Sequence, residues 1–235
     1  MPEVVRREPL RQLRLGARPG NHVLRAIVGE ACTVRLAEEV GALEVTVHLQ
    51  GLHGVIGQRH FAGAATPAVV TAAEKAARAE DTAIFNGFQA GGIKGIIPSS
   101  PHPAIAIPDD YADYPSVVGR AVETLRRAGI NGPYALALGP DCYAGLAQAA
   151  EDGYPIRERV EHFLDGPMVL APTIGGAVLL SHRGGDHQLS VGQDMSVGYA
   201  GHGKDEVHLY LTESFAFRVL DRAAAVYLKP KRQKK

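Results

Sequence analysis

The chain reads as an α+β fold, with helices gathered in its middle and long antiparallel strands near its end. Two observations carry this. Around a polar turn at Gly201 to Asp205 stand two long β-type runs, and in the second Val207, Leu209 and Leu211 alternate with His208, Tyr210 and Thr212 at the period of two expected of a half-buried strand. Between Thr66 and Gly166, by contrast, capping signals and helical periodicities recur, with short apolar runs between them.

Taken in order, Thr66-Pro67 pairs a capping hydroxyl with proline at the first helical position, and predicts a helix to Phe88 with Ala73, Ala77, Ile84 and Phe88 on one stripe. Asn86-Gly87 is its stop, and the Gly/Pro-rich stretch Gly91 to Pro108 reads as a flexible connection. A second helix starts near Asp113-Tyr114-Pro115, presents Val118, Ala121, Val122 and Leu125 on one face, and ends at Gly129. Tyr134 to Leu138 is a short strand of the buried type. Gly139-Pro140-Asp141 opens a third helix to about Ala150. Tyr154-Pro155 opens a fourth, amphipathic through Ile156, Val160, Phe163 and Leu164 and ended by Gly166. Strands follow at Met168 to Ala171 and Ala177 to Ser181, with Pro172 to Gly176 as the loop between them. Arg183-Gly-Gly-Asp186 is a turn, since paired glycines tolerate positive φ.

Composition sets limits. With 235 residues the chain can bury a sizeable core, and 25 basic residues balance 25 acidic ones, so no global field favours nucleic acid or an anionic membrane. The longest apolar runs fall far short of the ~20 residues of a membrane helix, and no signal peptide is readable at the N-terminus, so the cytoplasm is the expected location. Cys32 and Cys142 stand alone, without metal-ligand or disulfide-framework spacing, and are expected to be reduced.

Four separate landmarks stand in order along the chain: Glu80-Asp81-Thr82-Ala83-Ile84-Phe85-Asn86-Gly87, then Gly132-Pro133-Tyr134, then Gly153-Tyr154-Pro155-Ile156, then Arg183-Gly-Gly-Asp-His-Gln-Leu-Ser-Val-Gly-Gln-Asp-Met-Ser-Val-Gly-Tyr199 with the run from Val207 to Val219. Together these resemble the encapsulin shell proteins (family 1, linocin or bacteriocin type) over about residues 72 to 228. The resemblance implies a fold like the tailed-phage major capsid protein, with a peripheral domain built on a spine helix and an axial domain around the symmetry axes. On it, residues 63–133 and 183–228 fall in the peripheral domain and 134–182 in the axial domain. The loop Pro172, Thr173, Ile174, Gly175 and Gly176 resembles the one that lines the five-fold pore. The implied role is structural: a homo-oligomeric, icosahedral shell enclosing a cargo protein such as a dye-decolourising peroxidase or a ferritin-like iron-storage protein, hence a link to iron storage and oxidative stress. No catalysis, cofactor or metal is implied for the chain itself.

The front departs from that pattern. Residues 1–60 hold eight Arg but no Lys, six Glu but no Asp, and no aromatic residue, so the side chains that dominate core burial are missing. Residues 1–62 are therefore expected to be poorly packed or mistranslated, with the family's N-terminal arm and extended loop absent or garbled. Within them Ala42 to Leu49 alternates weakly as a strand, and Glu30 to Val40 suggests a short helix.

Three other readings compete. His202, Asp205 and His208, with His182 and His187 beside the Gly-Gly turn, invite a metalloenzyme reading, but solvated histidines on a strand and turn account for them. Serines 181, 190, 196 and 214 lack a G-x-S-x-G elbow, which weakens a hydrolase reading. A prophage capsid protein of the same fold, enclosing DNA, is the third alternative. Glu213 falls in phase with Leu211 and Phe215 on an apolar strand face, and a β-bulge at Ser214 that turns it outward is the expected resolution, pairing with an arginine of its own or a neighbouring subunit being the alternative. The tail Lys229 to Lys235 is strongly basic and reads as a solvated tail.

Overall fold

A computed structural model describes residues 26–27, 35–36, 42–50, 66–108, 110–151, 153–202 and 206–230, with side chains at those from Thr71 onward except 200, 202 and 206–208. Its strands are β1 (Ala26–Ile27), β2 (Arg35–Leu36), β3 (Ala42–Gln50), β4 (Ile105–Ala106), β5 (Tyr134–Leu138), β6 (Ala150–Glu151), β7 (Tyr154–Pro155), β8 (Met168–Leu170), β9 (Ala177–Ser181), β10 (His187–His202), β11 (Glu206–Val219) and β12 (Ala225–Lys229). Its α-helices are α1 (Thr66–Phe85), α2 (Ile96–Ser99), α3 (Tyr114–Arg127), α4 (Pro140–Gln148) and α5 (Ile156–Glu161).

A five-stranded sheet in the order β4-β12-β9-β5-β8 forms the centre, mixed in direction because β5 pairs parallel with β8 and antiparallel with β9. Every residue of β5 and β9 is buried. The sheet is covered on both faces, which is why these strands read as continuous apolar runs and not as alternations. Alternation reappears in side-chain size. Ala135, Ala137, Val178, Leu180 and Ala225 face one core with Ala72, Ala76 and Ala83 of α1. Tyr134, Leu136, Leu138, Leu179, Val226 and Leu228 face the other core with α3, α4 and α5. The small side chains of the sheet thus pack with the alanines of α1 in one core, and the larger ones fill the other core with α3, α4 and α5.

The α3 helix buries Tyr114, Val117, Val118, Ala121, Val122 and Leu125 and ends in a Schellman-type turn: Gly129 has φ 78°, and the Ile130 N–H donates to the Leu125 carbonyl at 2.9 Å. On α1 the buried stripe runs one residue earlier than predicted, through Ala72, Ala76, Ala83 and Ile84, leaving Ala73 and Ala77 half-buried. The fourth helix is shorter than expected: after Glu161 the chain turns through Phe163 and Leu164 to Gly166.

The stretch expected as a flexible connection is instead ordered and packed. Phe88 and Ile93 form a two-residue bridge, α2 follows, and Ile93, Gly95 and Ile96 are buried. Gly95 sits against the backbone of Phe85, Asn86 and Gly87 so closely that any Cβ there would collide with main chain. Ser100 Oγ and Arg222 Nε bind the carbonyls of Ala225 and Ser99 at 2.7 and 3.0 Å, clasping this stretch to the C-terminal strand.

The two long runs form a hairpin, β10 against β11, and β3 adds to the far edge of β11 to make a three-stranded antiparallel sheet. The β3 ladder is unbroken from Ala42↔Ser214 to Gln50↔Glu206. The weak alternation at Ala42 to Leu49 is thus a strand. Arg35–Leu36, predicted within a helix, is a strand paired with Ala26–Ile27. The remaining expectations for residues 1–62 lie outside the described residues, as do Cys32, Asp205 and the tail from Lys231.

On β11, Leu211, Glu213, Phe215 and Phe217 are all buried. The bulge expected at Ser214 to turn Glu213 outward is instead on β10, where register shifts fall between Val191 and Ser196. β11 itself stays regular, so period-two geometry keeps Glu213 on the inner face at 3% exposure.

Candidate functional site

The candidate site is the β8–β9 loop, Pro172 to Gly176. Its two ends are fixed by the sheet: the Ala171 N–H donates to the Leu138 carbonyl at 2.7 Å, and the Gly139 N–H donates to the Gly176 carbonyl at 2.7 Å. Between them the Ile174 N–H donates back to the Ala171 carbonyl at 3.2 Å, closing a tight turn. That turn drives the Ile174 side chain inward to 2% exposure, into the core beneath α1.

Neighbours hold the rest. The Asn86 amide, just past the end of α1, donates to the Thr173 carbonyl at 3.5 Å. The Tyr227 hydroxyl of β12 donates to the Gly175 carbonyl, and burial pushes that phenol up from its ordinary value, with the Cys142 thiol adding to the effect. Gly176 has φ 99°, and a Cβ there would meet the Leu228 carbonyl and Pro230. Only glycine fits, because left-handed backbone and close approach coincide. Thr173 is half-buried and its Oγ1 is enclosed without a hydrogen-bond partner. Gly175 is the exposed crest, with no atom within 4 Å of where a Cβ would stand.

The loop is therefore a pinned turn with one small open point. Solvent meets Gly175 and part of Pro172 and Thr173, and none of the five residues ionises. The sequence marked the loop but not its anchors. Asn86 read only as a helix stop, Gly139 only as a helix start, and Tyr227 lay in a strand without a turn signal before it.

A second cluster forms where the hairpin leaves the body. Arg183 grips Asp186 bidentately, Nε to Oδ2 at 3.0 Å and Nη2 to Oδ1 at 2.7 Å, and reaches Asp221 at 3.4 Å. Burial is the largest single influence on the Asp186 carboxyl and raises it, but hydrogen bonds from Arg183 and Ser181, with the Arg183 and His187 charges, together hold it below its ordinary value. Its carbonyl accepts the N–H groups of Leu220 and Asp221 at 2.8 and 3.0 Å. Arg183-Gly-Gly-Asp186 is thus a salt-bridged clasp as well as a turn; Gly184 and Gly185 have φ 87° and 86°.

The residues that suggested enzyme chemistry do not converge. His202 stands at the hairpin's far end opposite Val207, whereas His187 stands at the near end opposite Val219. Among the described residues no group of three or more His, Cys, Asp or Glu is placed to hold a metal ion. Ser181, Ser190 and Ser214 are buried on separate strand positions, and Ser196 lies in the β10 bulge region, hydrogen-bonded to Gln193. Cys142 is buried and unbridged, and burial pushes its thiol up. Among the described residues no helix is long and apolar enough to cross a membrane.

A two-faced mixed sheet over a long helix, with an extended hairpin beside it, is a capsid-type architecture. The fold is shared by the chain of a virus-like particle from Pyrococcus furiosus, at TM-score 0.65 and 18% identity over 94% of this chain and 92% of that one. It is also shared by a chain of Mycobacterium phage Ogopogo, at TM-score 0.60 and 15% identity over 94% and 91%. The family model described as "Encapsulating protein for peroxidase" (Linocin_M18) matches residues 44–216, and the chain belongs to that family. This match begins within β3, ahead of the landmarks that start near Ala72. The type 1 encapsulin shell protein of Rhodospirillum rubrum is 48% identical over 162 residues, which is 68% of this chain and 58% of that protein. The chain's matched part thus spans less than two thirds of that relative's length. Relatives named as shell proteins point to a structural role.

Proposed function

We propose that the chain is a structural subunit of a cytoplasmic nanocompartment, associating with copies of itself in an icosahedral shell that encloses a cargo protein and performing no catalysis itself. The observation that carries this is the family match over residues 44–216, made on a capsid-type fold. A peroxidase is the first candidate cargo, on the family's description, and a ferritin-like iron-storage protein the second. Both follow from the family and not from a docking site among the described residues.

Within such a shell the β8–β9 loop is the segment that lines the five-fold opening. Its form supports this reading: a crest without side chain, no ionisable group, and anchors that hold five copies alike. We assign residues 134–182, which supply β5, β8, β9, α4 and α5, to the axial unit, and residues 63–133 and 183–228, with α1, α3 and the β10–β11 hairpin, to the peripheral unit. Solute passage is then governed by Gly175, whose substituents project into open space, and not by Thr173, whose hydroxyl is enclosed. A prophage capsid reading draws on the fold alone.

Size-exclusion chromatography with negative-stain microscopy, followed by mass spectrometry and nuclease digestion of the contents, tests the proposal. A closed particle of megadalton size holding protein is the expected result. A monomer that forms no particle with co-expressed cargo, or a particle filled with nucleic acid, overturns it.

A further inference from the structure

His187 is a buried base at a mechanical joint. It is the first residue of β10, directly after the Arg183–Asp186 clasp, and pairs across the hairpin with Val219. Its imidazole is 3% exposed and lies nearly parallel to the Phe217 ring, with centroids 6.4 Å apart and planes at 8°. Its Nε2 is enclosed without a hydrogen-bond partner. A neutral ring stacked on phenyl tolerates that position, whereas an imidazolium with an undonated N–H does not.

The charges that act on the ring are those of Asp186 and Asp221, both already engaged by Arg183, while Arg218 on the facing strand is exposed and lies on the strand's other face. Phe217 and Val219 on the facing strand carry no charge. Two arrangements of the ring are therefore available. Neutral, it stays on Phe217 and seals the base of the hairpin. Protonated, it is drawn towards Asp186 and Asp221, and it reaches them only by leaving Phe217 and competing with Arg183 for the clasp that joins the hairpin's two ends.

We propose that His187 is an acid-sensitive latch that holds the base of the β10–β11 hairpin closed while neutral and releases it when protonated. Burial is the largest influence on the ring and lowers its basicity; the two carboxylates oppose this with smaller effects. The sign follows. With its folded value lowered from 6.5, the closed joint binds its proton less readily than the open one. Closure is at full strength above that ordinary value and weakens as pH falls through the depressed one. At the limit the open fraction grows about tenfold per pH unit in this window. That acid would thereby loosen a shell rests on the reading above, but the latch itself is a property of the single chain.

The test is hydrogen exchange on the full chain at about pH 7.5 and about pH 5, corrected for intrinsic rates, beside an NMR titration of the histidine ring protons. The expected result is a roughly tenfold or greater loss of protection at the two hairpin ends, 187–191 and 215–219, with β5 and β9 unchanged. His187→Phe keeps a ring on Phe217 without a titrating group, and is expected to abolish the acid-dependent part. The unmodified chain decides the matter if that variant does not fold: a His187 ring that titrates at or above the ordinary imidazole value overturns the latch. So does an acid-induced opening that persists in His187→Phe. Particle formation is scored separately, so loss of the shell reading and loss of the latch remain distinguishable.

Discussion

Ile174→Ala tests whether the β8–β9 loop is a pinned turn or a loose one. The side chain is 2% exposed within the core beneath α1, so truncation to alanine removes three buried carbons. At ~0.8 kcal/mol for each, the transfer loss is about 2.4 kcal/mol. The residual cavity adds to this, because β5, β9 and α1 cannot close on it without shifting backbone; a total of about 3–4 kcal/mol follows. Gly175→Ser is the matched control, since a Cβ at the crest meets nothing within 4 Å, and it is expected to stay within ~0.5 kcal/mol. The chain has no Trp but eight Tyr, so urea unfolding is followed by tyrosine fluorescence or far-UV circular dichroism with both variants in the same assembly state. With a urea slope of roughly 2–3 kcal/mol/M the midpoint of Ile174→Ala falls by about 1–2 M while that of Gly175→Ser holds. Two variants of equal stability would mean that Ile174 anchors nothing, and the pinned-turn description would fail.

Three further outcomes follow from the packing. Phe215→Ala and Phe217→Ala are each expected to cost about 3–5 kcal/mol in the same unfolding assay, because both lie on the inner face of β11, two residues apart; a neutral result at either position contradicts the regular strand. Asp81 on α1 is raised to about 7 by burial and then by Glu80, so the folded state keeps its proton longer than the unfolded one and stability falls as pH rises from about 4 to about 7. Asp81→Asn should remove that slope and gain ~1–2 kcal/mol at about pH 8, below the ~4 kcal/mol that the full shift sets as a ceiling; an unchanged pH profile refutes it. Gly176→Ala combines left-handed backbone with a collision against Leu228 and Pro230. It should cost more than the ~1 kcal/mol of a glycine replacement in open space, and a melting temperature equal to the parent's would show that β12 yields.

The helices and long strands were legible because their signals are local. Thr66-Pro67, Gly129 and Gly139-Pro140 mark backbone that few other residues serve as well, and those elements lie where the sequence places them. What escaped was set by distant partners. Ala225 to Lys229 has no alternation of its own and becomes a strand by pairing with β9. Ala42 to Gln50, in a segment without aromatics, did not escape: its weak alternation marks the strand, and pairing with β11 along its whole length fixes it. The Gly/Pro-rich stretch after α1 looked flexible because glycine was read as freedom, whereas Gly95 is there to let two backbones touch. The same limit applied to the candidate loop: its residues were visible, but Asn86, Gly139 and Tyr227 reach it from three separate parts of the chain.

The two halves of the molecule are held by different physics, and this decides where deformation falls. The five-stranded sheet has apolar cores on both faces, so bending it exposes buried surface on one side or opens gaps on the other, and both outcomes cost energy. The long hairpin packs on the α1 core through Leu211, Phe215 and Phe217 with Leu189, Met195 and Leu209 beside them, and at its near end adds the His187 ring and the Arg183–Asp186–Asp221 clasp. A polar clasp at an accessible joint exchanges partners with little loss of burial, because Arg183 and Asp221 remain in reach of water. Under a load that acts on both halves, the sheet moves as a unit and the base of the hairpin takes up the change.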